Sequence, residues 1–151
     1  MIQIPRDFLE FLRLLNDQKI EYLIVGGYAV GHYGYVRYTG DLDIFVKLSR
    51  ENAVRLTSVF RDFGFALPEV KPELFLNKGR IVRIGHEPMR LEILNEIDGV
   101  RFEDCYASRN EVDLGGVKAS VISLPHLLQN KKASGCPKDL ADFDALSKRK
   151  P

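Results

Sequence analysis

The feature that most constrains this chain is a pair of glycines followed, thirteen residues later, by two aspartates spaced two apart. Gly26-Gly27 close a short β-branched and aromatic run over 21–25, and Asp41-Leu42-Asp43-Ile44 opens a second, alternating run over 41–48. On a strand, side chains two apart share a face. Asp41 and Asp43 therefore present both carboxylates to one point, with Phe45 behind them, while Leu42, Ile44 and Val46 face the other way. Two like charges so close are unfavourable unless a cation lies between them, and hard oxygen ligands select Mg²⁺ or Mn²⁺. The glycines permit a tight turn whose N–H groups suit an anion such as a triphosphate. Arg37 and Thr39 have the parity of the aspartates and join their face if the strand extends backward.

A third carboxylate would complete a two-metal site. Glu92 is the candidate: Met89, Leu91 and Ile93 alternate to one face of 88–94 and leave Arg90 and Glu92 on the other. The rivals Glu87 and Glu96 have flanks that read as turns. Glu92 would bind the metal beside an acceptor hydroxyl and take its proton.

The rest of the chain fits a mixed fold. Residues 5–18 read as a helix with Phe8, Leu12 and Leu15 at helical spacing, and a short helix is expected over 28–33. Ser49 caps a helix carrying Ala53, Leu56, Val59, Phe60 and Phe63, which Gly64 ends. Residues 80–84 and 88–94 form a strand pair through Gly85-His86-Glu87. A strand over 117–122 pairs through Gly115-Gly116 with the segment before it. Helices over 125–134 and from Pro137 follow, the last with Leu140, Phe143 and Leu146 as its apolar stripe. Without strict βαβ alternation this is an α/β (α+β) chain rather than a Rossmann sheet.

Length and charge set the outer bounds. A chain of 151 residues, 45% of them hydrophobic, is about one domain by size, so residues 1–151 are expected to form a single one. The net charge of +1 is too balanced for a nucleic-acid coat, although six Lys/Arg against three Asp/Glu place a positive excess in residues 125–151. Cys105 and Cys136 lack zinc spacing and read as reduced thiols of a cytoplasmic protein. No stretch suggests a membrane span or a signal peptide.

The ordered set of Gly-Gly, Arg37-x-Thr39-x-Asp41-x-Asp43 and the strand acid resembles the polymerase-beta-type nucleotidyltransferase superfamily. The tail Asn130-Lys131-Lys132-Ala133-Ser134-Gly135-Cys136-Pro137-Lys138-Asp139-Leu140-Ala141-Asp142 is similar to that of bacterial AbiEii-like and other minimal (MNT-like) members. The resemblance spans residues 22–146. It implies a mixed β-sheet backed by helices with the acids on its open face. It makes Gly26 and Gly27 the triphosphate turn, and Asp41, Asp43 and Glu92 the metal-binding acids. Arg37, Thr39, Lys131, Lys138 and Asp139 then belong to the nucleotide side. It further implies Mg²⁺ (or Mn²⁺), a nucleoside triphosphate, ATP by expectation, and an acceptor hydroxyl on a protein, tRNA or small molecule such as an aminoglycoside. Such domains often act in toxin–antitoxin systems, and a chain this short is expected to draw recognition surface from a homodimer or a partner, or to bind its acceptor shallowly.

Several residues also carry plainer readings. Arg37 can pair with a surface acid instead of phosphate. Lys131 and Lys138 can compensate helix ends, and Asp139 and Asp142 can be first-turn acids. His32 reads as packing, and Tyr28, Tyr33, Tyr35 and Tyr38 as core or rim rather than base-stacking platforms. Cys136 stands where the family has Arg, and a thiol cannot replace a guanidinium on phosphate. That departure favours an alternative, a non-catalytic antitoxin or partner-binding module. Retention of three mutually repelling acids favours the enzyme.

Overall fold

The structure is a computed structural model that describes residues 4–37, 39–86 and 89–148. Tyr38 and the Glu87-Pro88 corner of the expected hairpin lie outside the described residues, and with them the rival acid Glu87. Helix α1 (Arg6–Asp17) leads to strand β1 (Tyr22–Val25), helix α2 (Gly26–His32) and strand β2 (Asp41–Val46). Helices α3 (Arg50–Asp62) and α4 (Pro72–Leu76) precede the antiparallel pair β3 (Ile81–His86) and β4 (Met89–Leu94). Then come α5 (Phe102–Ala107), the hairpin β5 (Asn110–Leu114) and β6 (Val117–Val121), and finally α6 (Leu124–Ser134) and α7 (Pro137–Ser147). The strands form one mixed sheet in the order β3-β4-β2-β1-β6-β5. Among the described residues no helix is long and apolar enough to cross a membrane.

The apolar face of the sheet dictates the packing. Leu42, Ile44 and Val46 are fully buried, as are Phe8, Phe11, Leu12 and Leu15 of α1 and Leu56, Val59 and Phe60 of α3. The Phe11 ring lies 5.2 Å from Phe60 and 5.3 Å from Phe63, so α1 and α3 pack on each other as well. Ser49 caps α3 by accepting a hydrogen bond from the Asn52 amide. Asn52 is itself buried. Its side chain accepts from the Glu21 amide and donates to the Glu21 and Lys47 carbonyls, which clips the ends of β1 and β2 to the start of α3.

The structure adds two features and corrects one expectation. The face shared by Asp41, Asp43 and Phe45 is covered at one end: Phe45 is buried edge-to-face against Phe102, 5.1 Å away on α5. Helices α4 and α5 are too short for a periodic signal and escaped the sequence pattern. The apolar stripe of α7 also fails at Leu140, which is 46% exposed, while Asp142 and Leu146 point inward. Ion pairing outbids Leu140 there: Asp142 faces Arg37 and Lys131.

Asn52 gives the first test. Asn52→Ala removes one acceptor and two donor bonds at a buried point, and is expected to cost about 2–3 kcal/mol in urea unfolding. A loss below about 0.5 kcal/mol would show that the clip carries no stability.

Candidate active site

Strand register gathers the acids. Strands β2 and β4 run parallel with Asp41 opposite Arg90 and Asp43 opposite Glu92. Alternation then turns Asp41, Asp43, Arg90 and Glu92 to one face. Asp41, Asp43 and Glu92 each offer a carboxylate oxygen such that all three lie within 4.8 Å of one another.

The cluster is compensated unevenly. Arg90 grips Asp41 with both arms, Nε to Oδ1 at 3.1 Å and Nη2 to Oδ2 at 2.9 Å, and this fork holds the Asp41 carboxyl below its ordinary range. Arg83, opposite Glu92 on β3, reaches it at 3.5 Å. Burial, and a hydrogen bond in which Glu92 holds the proton toward Asp41, push Glu92 upward. Asp43 has the poorest surroundings: its Oδ1 is buried with no hydrogen-bond partner among the described residues. Burial, then the charges of Glu92 and Asp41, raise its pKa to about 7 against the pull of Lys131 and Lys138.

The glycines act first on this carboxylate. Gly26 has φ +66°, and a Cβ there would collide with the Asp43 carboxylate. A Cβ on Gly27 would lie 2.5 Å from Thr39 Oγ1. The pair therefore lets the start of α2 close on Asp43 and Thr39, a role the sequence alone did not distinguish from phosphate approach.

Gly26, Gly27, Arg37, Thr39, Asp41, Asp43, Lys131, Lys138 and Asp139 line one cleft of about 240 Å³. All the nucleotide-side residues expected from sequence are thus brought together beside the acids. Strand β2 starts at Asp41, so Arg37 and Thr39 reach the cleft from a loop rather than from a backward extension of the strand. Lys131 is buried in the last turn of α6, with Nζ 2.9 Å from Asp139 and 3.2 Å from Asp142. Although burial works against it, hydrogen bonds from Cys136, Ser134 and Lys131 lower the Asp139 pKa to about 2. Arg37 grips the buried Asp142 with both arms, at 2.9 and 2.8 Å. The surface pairing considered for Arg37 is therefore a buried one, and neither Asp139 nor Asp142 is a bare first-turn acid. Lys138 is exposed on the cleft wall.

Arg90 and Asp142 were missed as site residues. Arg90 carried a signal, its place two residues before Glu92 on the same face, but its partner depends on the pairing of β4 with β2. The plainer readings hold elsewhere. Tyr28 packs edge-on against Phe8, Tyr33 bonds the Ile122 carbonyl at 2.6 Å, Tyr35 packs on the core, and His32 stacks edge-on against Tyr33. Tyr38 lies outside the described residues. Glu96 pairs with Lys78, away from the cluster. Cys105 is buried, whereas Cys136 is exposed at the N-cap of α7 with its thiol 2.9 Å from Asp139.

Among solved structures, the chain is similar to the lincosamide antibiotic adenylyltransferase LnuA in its lincomycin-bound form. Identity is 16% and the TM-score 0.62, over 97% of this chain and 98% of that one. It is also similar to a candidate nucleotidyltransferase, TM1012 of Thermotoga maritima, at 19% identity and TM-score 0.57, over 97% and 98% of the two chains. A third likeness is to the antibiotic-resistance factor ANT(2'')-Ia, at 14% identity and TM-score 0.56, over 93% and 82%. No protein-family model matches the sequence, and no curated protein matches it. The mixed sheet backed by helices is the nucleotidyltransferase fold.

Two predictions follow from the Asp43 environment. An acid raised to about 7 costs nothing well below its ordinary pKa of 3.8, where it is neutral folded or unfolded; its penalty grows as pH rises through 4 and is complete above 7. In EDTA, Asp43→Asn is expected to gain stability over wild type between pH 4 and 8, by at most about 4 kcal/mol. A gap in urea unfolding that stays constant with pH would show that Asp43 ionises normally. Separately, Gly26→Ala adds a collision to backbone strain, whereas Gly135→Ala, at φ +68° with its nearest atom 3.8 Å away, adds strain alone. Gly26→Ala should cost more in urea unfolding by about 1–2 kcal/mol; equal losses would mean that Asp43 yields freely.

Proposed function

We propose that this chain is a minimal Mg²⁺-dependent nucleotidyltransferase that moves a nucleoside monophosphate from a nucleoside triphosphate, with ATP the expected donor, to an acceptor hydroxyl. The observation that carries this reading is the convergence of Asp41, Asp43 and Glu92 within 4.8 Å on a nucleotidyltransferase fold, with Asp43 Oδ1 buried and unpartnered. An orphaned buried carboxylate oxygen in an all-oxygen donor set fits a hard divalent cation. Asp41, Asp43 and Glu92 would hold it. Mg²⁺ bound there supplies charge neutralisation for the triphosphate and the acceptor oxygen.

The chain's own residues supply the rest. Lys138 and Lys131, with Arg37, set a positive wall opposite the acids and favour the polyphosphate. The glycine turn keeps side chains away from the donor. Glu92, placed opposite Asp43 by the register of β4 against β2, accepts in its ionised form the proton of the acceptor hydroxyl as its oxygen bonds to the α-phosphorus. The bond from that phosphorus to the bridging oxygen breaks, and pyrophosphate leaves. Catalysis here is positioning and charge placement, as in other phosphoryl transfers.

The tail around Lys131, Lys138, Asp139 and Asp142 supports an AbiEii-like (MNT-like) kinship, in which a protein or tRNA partner is the acceptor and a toxin–antitoxin setting applies. The likeness to two antibiotic-resistance proteins supports a small-molecule hydroxyl instead. Incubation of the purified chain with α-labelled triphosphates, Mg²⁺ and cell extract or antibiotics is expected to label one class of acceptor. Asp41→Asn and Asp43→Asn should each lower transfer at least about 100-fold. Transfer that persists in both variants would remove the acids from the chemistry. A wild type that binds Mg²⁺ and triphosphate but labels nothing would favour the non-catalytic partner-binding module.

A further inference from the structure

We propose that Asp142 of the last helix is a positioning residue for the triphosphate, holding Arg37 and Lys131 in one geometry on the cleft wall. This inference rests on the nucleotidyl-transfer reading. Asp142 is 1% exposed, and both of its oxygens are engaged. Oδ1 accepts from Arg37 Nε at 2.9 Å, and Oδ2 accepts from Arg37 Nη2 at 2.8 Å with Lys131 Nζ at 3.2 Å. The two cations come from separate places in the fold: Arg37 from the irregular segment before β2, 105 residues from Asp142 in sequence, and Lys131 from the end of α6. Both line the cleft beside Asp41 and Asp43.

Helix docking alone does not explain such an arrangement. An apolar side chain anchors a helix without the desolvation that a buried ion pair incurs. Yet α7 turns Asp142 inward and leaves Leu140 46% exposed. The fork between Arg37 and Asp142 fixes the plane of the guanidinium, and Lys131 is shared between Asp142 and Asp139. The quartet of Arg37, Lys131, Asp139 and Asp142 is formally neutral.

That neutrality gives the test its sign. Asp142→Asn deletes one negative charge beside the cleft, so charge alone predicts tighter triphosphate binding. Loss of positioning predicts weaker binding, because the fork no longer fixes the Arg37 guanidinium and Lys131 is drawn onto Asp139. The full chain, titrated calorimetrically with the four common nucleoside triphosphates in Mg²⁺, is compared as wild type, Asp142→Asn, Arg37→Lys and the double variant. Each single change is expected to raise Kd about tenfold. The double should be little worse than either, since both cut one contact. In transfer assays, KM for the triphosphate should rise more than kcat falls. Where Asp142→Asn fails to fold, Arg37→Lys carries the test, because it keeps the charge and loses the fork. Unchanged or tighter binding in the variants, or fully additive losses, overturns the proposal while leaving nucleotidyl transfer in place. Absence of triphosphate binding by the wild type overturns both.

Discussion

Repulsion among three carboxylates on adjacent strands is the constraint around which this molecule is built. Asp43 and Glu92 face each other across the parallel pairing of β2 with β4, and Asp41 sits one pleat along. A fold with no use for such crowding would relieve it by one substitution. Here the surroundings are shaped to keep it. The opposite face of the same strand is fully apolar, so β2 cannot rotate its acids away without exposing Leu42 and Ile44. The missing side chain at Gly26 lets α2 press on Asp43 instead of pushing it aside.

The cations divide the labour. Arg90 and Arg83 stand on the strand side of the cluster and compensate Asp41 and Glu92. Arg90 takes one direction at each Asp41 oxygen. A carboxylate has about four acceptor directions, so Asp41 retains capacity for a metal ion. Lys131 and Lys138 act from the helical side and offset only part of the burden on Asp43. The upward shifts of Glu92 and Asp43 mark charge that the surrounding cations do not fully balance, so both groups hold protons more tightly than ordinary carboxyls. A divalent cation would favour the ionised form of each.

Much of this was legible in the sequence, because it rests on period-two alternation. The parity of Asp41 and Asp43 and the apolar flanks of Glu92 need no knowledge of the fold. What could not be read depends on pairing between distant segments. The partner of Arg90 is fixed by the register of β4 against β2. The inward turn of Asp142 depends on where α7 lands, and its apolar residues pointed to another face. Arg37 and Thr39 were placed on the acid face by parity, yet reach the cleft from a loop, so the right grouping came from an extension of the strand that the backbone does not make. The cover over Phe45 was invisible for a similar reason: α5 is six residues long and sits between two strands in sequence.

The same charge accounting bears on Cys136. Asp139 gives one oxygen to Lys131 and the other to the hydroxyl of Ser134 and the thiol of Cys136, both neutral donors. An arginine at 136 would bring a third cation beside Lys131 and Lys138 and would compete with Lys131 for Asp139. With the thiol in place, Asp139 remains available to Lys131, and the buried quartet stays balanced. Among the three cations that line the cleft, Arg37 and Lys131 are paired with acids, and Lys138 is the exposed one. Such a cleft carries one cation fewer than it would with arginine at 136, and its long-range attraction for a polyanion is weaker by that charge. The thiol at 136 therefore acts on the charge of the helical wall of the cleft through Asp139. The three carboxylates, which would do the chemistry, are untouched by it.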